Sequence, residues 1–324
     1  MNFEPVCQKD KHLPLISIAM CTYNGEVFLD AQLKSIIDQD YANLEIIIVD
    51  DCSSDGTLHI IKKYADFDKR IVYFQNEQNI GLTKNFEEAI KRCSGKYIAL
   101  ADQDDIWKHN KISTLYGMVG DNMLVYHDSG MIDDRGQSMN KKMSDVVNFY
   151  RGGDPRVFLF FNCVSGHSVL FKNDLRNFLF PFPAFFPYDM WMAFVATNLG
   201  TIDFTDEILV KYRLHDTNAT DLLRRRQTEN EKVKRSIFRR SSTIREQTKL
   251  LWAASSFKYN RKCPSEIKRL YELSNKRLRV FFIPSFFFEL LKLNDSVFVF
   301  LKKPYFSKLN FIFKNIWGLY SKRL

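Results

Sequence analysis

The segment LEIIIVDDCSSDGT (residues 44–57) decides the fold, because a continuous apolar run stops abruptly at a cluster of polar side chains. Its first half has the Ile/Val content of a strand that is buried on both faces, as strands of parallel sheets are. The residues TLHIIKKYA (57–65) then carry apolar side chains at helical spacing. The segment therefore predicts a buried strand, a polar loop and a helix in succession.

The same pattern repeats on both sides of this segment. Short apolar or alternating runs predict strands at LISIAM (15–20), RIVYFQN (70–76) and KYIAL (96–100). Helical spacing predicts helices at VFLDAQLKSIID (27–38) and TKNFEEAIKRC (83–93). Strands that alternate with helices predict an α/β fold, in which ligands bind outside the carboxyl ends of the parallel strands.

The rest of the chain is less regular. MLVYH (123–127) predicts a strand, MIDDRGQSMNKK (131–142) an exposed turn and loop, VFLFFNCVSGHSVLF (157–171) an interrupted strand, and TIDFTDEILVKYRLH (201–215) two strands. From residue 221 onward the patterns are helical and basic. We therefore predict an α/β domain over residues 1–220, and a basic, aromatic-rich, mainly helical C-terminal region over residues 221–324.

The composition excludes several classes of protein. Hydrophobic residues make up 45% of the 324-residue chain, which is typical of a globular protein. No apolar run reaches the ~18–20 residues that span a bilayer, and residues 1–14 lack the apolar core of a signal peptide. The six Cys are scattered without a CxxC pair. We therefore expect a cytoplasmic protein without a zinc site or a disulfide framework.

The charge is distributed unevenly along the chain. Residues 1–220 contain 22 Lys+Arg and 30 Asp+Glu, residues 221–324 contain 25 and 8, and the two net charges of −8 and +17 sum to the overall +9. An acidic body with a basic tail predicts that the body carries the chemistry and that the tail meets an anionic surface.

Polar clusters follow three of the predicted strands: Thr22-Tyr23-Asn24-Gly25, Asp50-Asp51-Cys52-Ser53 and Asp102-Gln103-Asp104-Asp105. We expect them to converge, because the carboxyl ends of parallel strands meet at one edge of a sheet. Each cluster alone has a simpler explanation: Asp51 or Ser53 could cap a helix, and Asn24-Gly25 could form a turn. Three in succession favour a binding site.

The third cluster, within ALADQDDIW (99–107), has the chemistry of a cation site. Carboxylates at positions i and i+2 beyond a strand are hard oxygen ligands for Mg²⁺ or Mn²⁺, and phosphates complete the coordination of such ions. The sequence contains neither a G-x-x-x-x-G-K-[ST] nor a G-x-G-x-x-G motif. A diphosphate would therefore be held by the metal and by groups at the strand ends.

These stretches together resemble a known family, the family 2 glycosyltransferases with the GT-A fold. They resemble most closely the rhamnosyltransferase-like bacterial enzymes of surface-polysaccharide synthesis. The resemblance covers roughly residues 14–218 and rests on ISIAMCTYNGEVFLDAQLKSIIDQDYANLEIIIVDDCSSDGT, NEQNIGLTKNFEEAIKRCSGKYIALADQDDIW and GHSVLF…YDMWMAF…YRLH. It implies a mixed sheet flanked by helices. It also implies inverting transfer of a sugar, such as rhamnose, from a nucleoside-diphosphate sugar to a glycan or lipid-linked acceptor.

The resemblance also implies roles for residues at the strand ends. Tyr23 and Asp51 match positions that contact the nucleotide base, and Thr22 and Asn24 belong to the same side of the nucleotide site. Asn79 matches a segment near the nucleotide, together with Gly81 and Asn85. Lys84 in that segment could reach phosphate or simply be solvated on its helix.

The DxD motif of the family matches Asp102-Gln103-Asp104. The resemblance implies that Asp102 faces ribose or metal and that Asp104 is a direct metal ligand. His215 matches a late His that reaches the metal or the diphosphate, and Arg213 beside it could pair with phosphate or be solvated. Asp105 could support the site or cap the following helix.

The acceptor side is implied by two further segments. Asp189 in PYDMW matches the catalytic base, although Tyr188 stands where the family has an acid; a helix cap is the alternative for Asp189. Aromatic neighbours, including the substrate-binding candidate Trp191, would raise the pKa of this base. Gly166 and His167 match the segment that lines the acceptor, and His167 could equally be a buried structural residue.

The basic tail and the alternatives to an enzyme complete the expectations. Cations are mixed with aromatic groups at residues 224–240 and 305–324, which is typical of segments that lie on anionic membranes. We therefore expect peripheral contact with the inner face of the cell membrane; the alternative is a helical bundle that packs on the body or mediates homo-oligomers. A non-catalytic scaffold in a glycan-assembly complex remains open. Nucleic-acid binding through the tail is not expected, because no such motif occurs.

Overall fold

A computed structural model describes residues 13–215, 236–302 and 305–319. Nine strands of these residues form one sheet, with the neighbour order β3-β2-β1-β4-β8-β6-β9-β5 and β7 paired to β6. The strands are β1 (Ile16–Thr22), β2 (Leu44–Asp50), β3 (Ile71–Gln75), β4 (Tyr97–Ala101), β5 (Ile106–Trp107), β6 (Leu124–Ile132), β7 (Ser138–Lys142), β8 (Val169–Lys172) and β9 (Ile202–Arg213).

Helices connect these strands and form the C-terminal part of the described chain. The helices are α1 (Leu29–Ile37), α2 (Thr57–Phe67), α3 (Leu82–Arg92), α4 (Lys111–Val119), α5 (Met143–Val146), α6 (Arg176–Leu179), α7 (Tyr188–Leu199), α8 (Ser236–Ser255), α9 (Pro264–Lys276), α10 (Pro284–Lys292), α11 (Asn294–Val297) and α12 (Tyr305–Asn315). Short 3-10 helices lie at Pro155–Phe158, Gly166–Ser168 and Asn173–Leu175.

The parallel half of the sheet confirms the fold class predicted from the sequence. β1 pairs in parallel with β2 on one side and with β4 on the other, and β3 extends the sheet beyond β2. Every residue of β1 is buried, as expected for a strand covered on both faces by helices. The carboxyl ends of β1, β2 and β4 are therefore neighbours at one edge.

The antiparallel half corrects three of the predictions. The turn predicted within residues 131–142 lies at 133–137, but the residues on both sides of it are not a loop, because β6 extends to Ile132 and pairs with β7. Within residues 157–171 the strand begins only at Val169, because the residues before it form loops and 3-10 turns. Residues 201–215 contain one strand rather than two. In each case, tertiary pairing overrides a weak local pattern.

The described chain divides into two compact units whose segments interleave. Of the described residues, the first contains 13–143, 164–182 and 203–213, and therefore most of the sheet; the second contains 144–163, 183–202, 214–215, 236–302 and 305–319. The domain boundary predicted at residue 220 and most of the basic segment 224–240 lie outside the described residues, as do residues 320–324.

The second unit has an aromatic core of its own. Trp191 in α7 packs against Phe186, Phe194 and Phe257, with ring centroids 5.2–5.4 Å from that of Trp191. α8 packs against α9, and α10 contacts α12. Among the described helices, none combines the length and the apolar character that a membrane crossing requires.

Candidate active site

The loops that follow β1 and β2 are joined by hydrogen bonds. The backbone N–H of Asn24 donates to Ser53 Oγ at 2.9 Å, and Asn24 Oδ1 accepts from the backbone N–H of Ser54 at 2.8 Å. The N–H of Gly25 donates to Thr57 Oγ1 at 2.8 Å. Asn24 has a left-handed φ of 46°, which Asn tolerates better than most residues. The two polar clusters therefore form one structure, as the sequence predicts.

The third cluster joins this structure through Gln103. Its Oε1 accepts from the backbone N–H of Tyr23 at 2.8 Å, and its Nε2 donates to the Tyr23 carbonyl at 3.0 Å. Gln103 thus acts on the backbone of Tyr23, whose side chain is 47% exposed. A Cβ atom at Gly25 would clash with the amide of Gln103, so this contact requires glycine there.

Asp50 and Thr22 form the buried floor beneath these loops. Thr22 Oγ1 donates to Asp50 Oδ1 at 2.8 Å, and Asp50 Oδ2 accepts from the Ser53 N–H at 3.0 Å and from Gln75 Nε2 at 3.2 Å. Both residues are almost fully buried. Thr22, predicted to line the nucleotide site, is therefore bonded to Asp50 beneath these loops.

Asp51 organises the loop between β3 and α3. One carboxylate oxygen accepts from Asn76 Nδ2 and the Ile80 N–H, and the other accepts from the Gly81 N–H, each at 2.8 Å. The carboxylate is buried, and Gly81 has φ 86° and ψ 154°, which only glycine adopts readily. The helix-cap explanation for Asp51 is wrong, because its partners lie before α3 and not in α2.

The predicted nucleotide-side residues of the α3 segment separate into two groups. Asn79 and Lys84 are exposed. Asn85 is buried, and its Nδ2 donates to the Val49 carbonyl at 2.8 Å while its Oδ1 accepts from Asn76. The exposed pair is accessible to a ligand, whereas Asn85 fastens α3 to the end of β2.

Asp102, Asp105 and His167 bring three possible metal ligands together. One ligand atom from each lies within 4.8 Å of the others. His167 Nδ1 is 3.8 Å from Asp102 Oδ2 and 3.9 Å from Asp105 Oδ2, while its Nε2 is 2.9 Å from Ser129 Oγ. The Asp105 atom Oδ2 is buried and has no hydrogen-bond partner among the described residues. A buried carboxylate oxygen without a donor fits a cation, so this donor set suits Mg²⁺ or Mn²⁺.

Burial controls the protonation of this cluster. Burial, and then the charge of Lys111, lowers the pKa of His167 to about 3, so its imidazole is neutral and able to ligate a metal at neutral pH. Burial, and then the charges of Asp104 and Asp102, raises the pKa of Asp105 well above its ordinary value. A bound divalent cation would offset that rise by favouring the ionised form.

Lys111, at the start of α4, adds a cationic group whose charge acts on Asp105 and Asp102. It is fully buried; its Nζ donates to the His167 carbonyl at 2.6 Å and lies 3.3 Å from the ring centroid of Trp107. Burial lowers the pKa of Lys111 well below its ordinary value, while the charges of Asp105 and Asp102 act in the opposite direction. The lowered pKa reduces the charge that would oppose a cation bound nearby.

Arg213 at the end of β9 is structural rather than solvated. Its Nε donates to the Asp104 carbonyl at 2.8 Å, and its Nη1 donates to the carbonyls of Asp133 and Asp134 at 3.2 Å. Its backbone N–H donates to Asp105 Oδ1 at 3.0 Å. Asp105 is therefore tied to β9, and its explanation as a helix cap is wrong because α4 begins only at Lys111.

Two predicted metal ligands lie outside the three-residue cluster. Asp104 is half-buried and its carbonyl accepts from Arg213, and His215 is half-buried and belongs to the second unit. The cluster shares only Asp102 with the predicted set of Asp102, Asp104 and His215. The roles of Asp104 and His215 stay predictions.

Residues 17–179 match the family described as Glycosyl transferase family 2. The chain belongs to this family. It is also 30% identical, over 69% of its length and 73% of the relative's, to an uncharacterized glycosyltransferase of Haemophilus influenzae.

A second relative and a solved structure are informative. The chain is 30% identical to the Escherichia coli UDP-Glc:alpha-D-GlcNAc-diphosphoundecaprenol beta-1,3-glucosyltransferase WfgD, over 63% of this chain and 79% of that protein. The structure of S. aureus TarS 1-349 in complex with UDP-GlcNAc aligns with a TM-score of 0.56 at 15% identity, over 94% of this chain and 82% of that one. This likeness confirms the GT-A fold.

The acceptor-side candidates of this glycosyltransferase occupy both units. Gly166 and His167 are buried in a 3-10 helix of the first unit, where the ring of His167 stacks on Tyr212 at 4.6 Å. Asp189 is half-buried in the first turn of α7, in the second unit, and its Oδ1 accepts from the Met190 N–H at 2.6 Å. The helix cap is Pro187, so Asp189 is not the cap residue. Trp191 is buried in the aromatic core of the second unit.

Sequence reasoning missed two contributors to the candidate site. Lys111 donates to the His167 carbonyl, and Ser129 Oγ is hydrogen-bonded to His167 Nε2. Asp50 was named in the second polar cluster but given no role of its own; in the structure it joins the first two clusters through Thr22 and Ser53. Nothing in the local sequence of Lys111 or Ser129 marks either residue as buried beside the acids.

Proposed function

We propose that this chain is an inverting glycosyltransferase that transfers a sugar from a nucleoside-diphosphate sugar to a hydroxyl group of a glycan or lipid-linked acceptor in cell-surface polysaccharide synthesis. The observation that carries the proposal is the convergence of three polar loops at the carboxyl ends of β1, β2 and β4, in a chain of family 2. Support for the substrate classes comes from WfgD, whose name includes UDP-Glc and a diphosphoundecaprenol acceptor, and from TarS bound to UDP-GlcNAc.

The nucleotide would lie against the loops that Gln103 and Asp51 organise. The exposed ring of Tyr23 offers an aromatic face for a base, an interaction worth about 1–3 kcal/mol in single-stranded nucleic-acid binding. The Asp51 carboxylate already accepts three hydrogen bonds of about four that a carboxylate can accept. We assign its remaining acceptor position to the base, and assign Asn79 and Lys84 to the ribose–phosphate side.

A divalent cation, Mg²⁺ or Mn²⁺, is proposed to be held by Asp102 together with either of two ligand pairs. Geometry supports Asp105 and His167, whereas the family motif supports Asp104 and His215. When bound, such a cation acts as a Lewis acid that neutralises charge on the leaving diphosphate.

Asp189 is proposed as the general base. The carboxylate would accept the proton of the acceptor hydroxyl as that oxygen attacks the anomeric carbon, and the nucleoside diphosphate would leave from the opposite face. A single displacement of this kind inverts the anomeric configuration and needs no covalent sugar–enzyme intermediate. Neighbouring aromatic residues, Phe186 and Trp191 among them, would exclude water from the base.

The direct test is release of nucleoside diphosphate in the presence of Mn²⁺ or Mg²⁺, with dTDP-rhamnose, UDP-glucose and UDP-N-acetylglucosamine as donors. Use of dTDP-rhamnose would support the rhamnosyl specificity that the sequence motifs suggest. Asp189→Asn should lower kcat by about 10²–10⁴-fold, the usual contribution of a general base. Asp66→Asn, in an exposed position of α2, is the matched control and should retain activity.

Two outcomes would contradict the proposal. An unchanged rate for Asp189→Asn would exclude that residue as the base. Donor binding without turnover for every donor and acceptor would favour the scaffold alternative. The Mn²⁺ concentration that gives half-maximal activity distinguishes the two ligand pairs. If Asp105 and His167 hold the ion, this concentration should rise in Asp105→Asn and in His167→Gln. If Asp104 and His215 hold the ion, it should rise in Asp104→Asn.

The location follows from the acceptor. A lipid-linked acceptor would bring the enzyme to the inner face of the cell membrane, and we propose that the basic C-terminal region makes this peripheral contact.

A further inference from the structure

Three exposed rings, Phe281, Phe282 and Phe313, surround the half-buried Trp317 in the second unit; these four residues are here called the aromatic edge. The ring centroid of Trp317 lies 5.3 Å from that of Phe281, 5.0 Å from that of Phe282 and 6.2 Å from that of Phe313. The three Phe side chains are 45%, 47% and 53% exposed. Large apolar groups clustered at the surface mark an interaction site.

The backbone holds the aromatic edge in place. The segment before α10 runs beside the segment after α12, through hydrogen bonds from the Ile283 N–H to the Ile316 carbonyl at 2.9 Å and from the Gly318 N–H to the Phe281 carbonyl at 2.6 Å. A Cβ atom at Gly318 would clash with the carbonyls of Val280 and Arg277, so this close approach requires glycine. The rings therefore sit on a fixed support.

Exposed cations flank the residues of the aromatic edge along the chain. Lys276 and Arg279 precede Phe281 and are exposed, and exposed Lys314 follows Phe313 directly. Residues 276–319 contain 8 Lys+Arg and 2 Asp+Glu. Aromatic groups flanked by cations have the chemistry of a surface that inserts rings at the acyl boundary of a bilayer and pairs its cations with anionic lipid headgroups.

We propose that the aromatic edge docks this protein on an anionic lipid bilayer. The proposal deepens the membrane contact included in the proposed function and names the residues that make it. The charge of these cations favours anionic lipid over a second copy of this chain as the partner, because two basic regions repel each other.

The test is co-sedimentation of the full-length protein with vesicles of phosphatidylcholine alone or with about one-third phosphatidylglycerol. Cations near an anionic bilayer contribute about 1 kcal/mol each. Arg279→Glu with Lys314→Glu should therefore weaken binding to the anionic vesicles at least about 10-fold. Lys62→Glu, an exposed charge reversal on α2, is the matched control and should bind like the wild type.

A second pair of variants tests the rings. Phe281→Ser with Phe282→Ser should reduce binding to anionic vesicles, whereas Phe67→Ser, at a position 79% exposed on α2, should not. Melting temperatures of all variants identify any that fail to fold, and the charge-reversal pair provides an independent test. Unchanged binding in both edge variants would overturn the proposal, as would equal wild-type binding to neutral and anionic vesicles. Loss of a homodimer in the edge variants without loss of vesicle binding would instead assign the edge to self-association.

Enzyme activity separates this inference from the proposed function. Release of nucleoside diphosphate with a water-soluble acceptor should be unchanged in the edge variants, because these residues belong to no part of the proposed catalytic machinery. Vesicle binding without any glycosyl transfer would leave the docking surface supported and the proposed function refuted. Glycosyl transfer without vesicle binding would support the proposed transferase activity and refute the docking surface.

Discussion

The side-chain amide of Gln103 holds the backbone of Tyr23: Gln103 Oε1 accepts from the Tyr23 N–H at 2.8 Å, and Gln103 Nε2 donates to the Tyr23 carbonyl at 3.0 Å. The pairing joins the end of β4 to the end of β1, so the middle residue of the DxD motif fixes the loop that presents the Tyr23 ring. Gln103, which the sequence predicts to bind substrate, thus positions the backbone of Tyr23, a second residue predicted to bind substrate.

Gln103→Glu should therefore weaken donor binding. The variant replaces the donor Nε2 by an oxygen that faces the Tyr23 carbonyl, and the loss of one hydrogen bond with added repulsion costs about 1–2 kcal/mol. We expect the Kd of UDP or dTDP, measured by calorimetry, to rise about 10-fold. Gln137→Glu, at an exposed position between β6 and β7, should leave the Kd unchanged. Equal affinities in the two variants would show that the Tyr23 loop does not need Gln103.

Asp51→Asn should destabilise the folded protein. Asp51 accepts hydrogen bonds from Ile80, Gly81 and Asn76, and an amide would point its N–H₂ group at one or more of these donors. The expected cost is about 2 kcal/mol, because hydrogen bonds to a buried charged group are among the stronger ones. Urea unfolding at pH 7 measures the change, with Asp66→Asn as the exposed control. A shift in midpoint no larger than that of the control would contradict this role for Asp51.

The parallel half of the fold could be predicted because the sequence of each strand identifies it. The runs ISIAM and LEIIIVD are continuous enough that only burial on both faces explains them, and their polar ends then mark the site. β5 could not be predicted in this way. It has only two residues, Ile106 and Trp107, which are too few to show an alternating pattern, and they become a strand only by pairing with β9.

The charge balance of the site escaped prediction for a related reason. Nothing in the sequence WKHNK (107–111) distinguishes its two lysines, yet Lys111 is fully buried while Lys108 is exposed. Which lysine faces the acids is set by the direction in which α4 leaves β5. Arg213 likewise has a local sequence that fits a phosphate ligand, but backbone carbonyls brought in from distant segments occupy its guanidinium. Polar residues at a strand end can be found from sequence, but their partners cannot.

Lys111 and Asp105 should be energetically coupled. Lys111→Met removes the cationic group whose charge acts on the buried Asp105 carboxyl, so the variant should be less stable than the wild type. Asp105→Asn should restore part of that loss in the double variant. A double-mutant cycle of unfolding free energies should give a coupling of about 1 kcal/mol or more.

The surface pair Glu88 and Arg92 supplies the control cycle. Its atoms approach to 2.6 Å, but both side chains are about one-third exposed, so the coupling between Glu88→Gln and Arg92→Met should be only about 0.3–0.5 kcal/mol. A coupling at Lys111 and Asp105 as small as this would mean that the buried lysine does not compensate Asp105.

Glu45 should make stability depend on pH in the acidic range. Glu45 lies opposite Ser17 in the pairing of β2 with β1, near the amino ends of these strands and away from the candidate site. Burial by itself would raise its pKa, but hydrogen bonds from Ser17, Ser94 and Gly95 outweigh burial and lower the pKa below the ordinary 4.5. Because the folded-state pKa is the lower one, the carboxylate contributes stability above pH about 4.5, and this contribution is lost as the pH falls through the folded-state pKa.

Glu45→Gln should therefore be less stable than the wild type at pH 7, and the difference between them should shrink as the pH falls from about 5 to 3. Urea unfolding at a series of pH values measures this difference. Glu77→Gln, an exposed position in the loop after β3, is the matched control, and its stability should follow that of the wild type at each pH. A wild-type advantage over Glu45→Gln that stays constant down to pH 3 would refute the assignment. The advantage would then come from the shape of the side chain rather than from its ionised form.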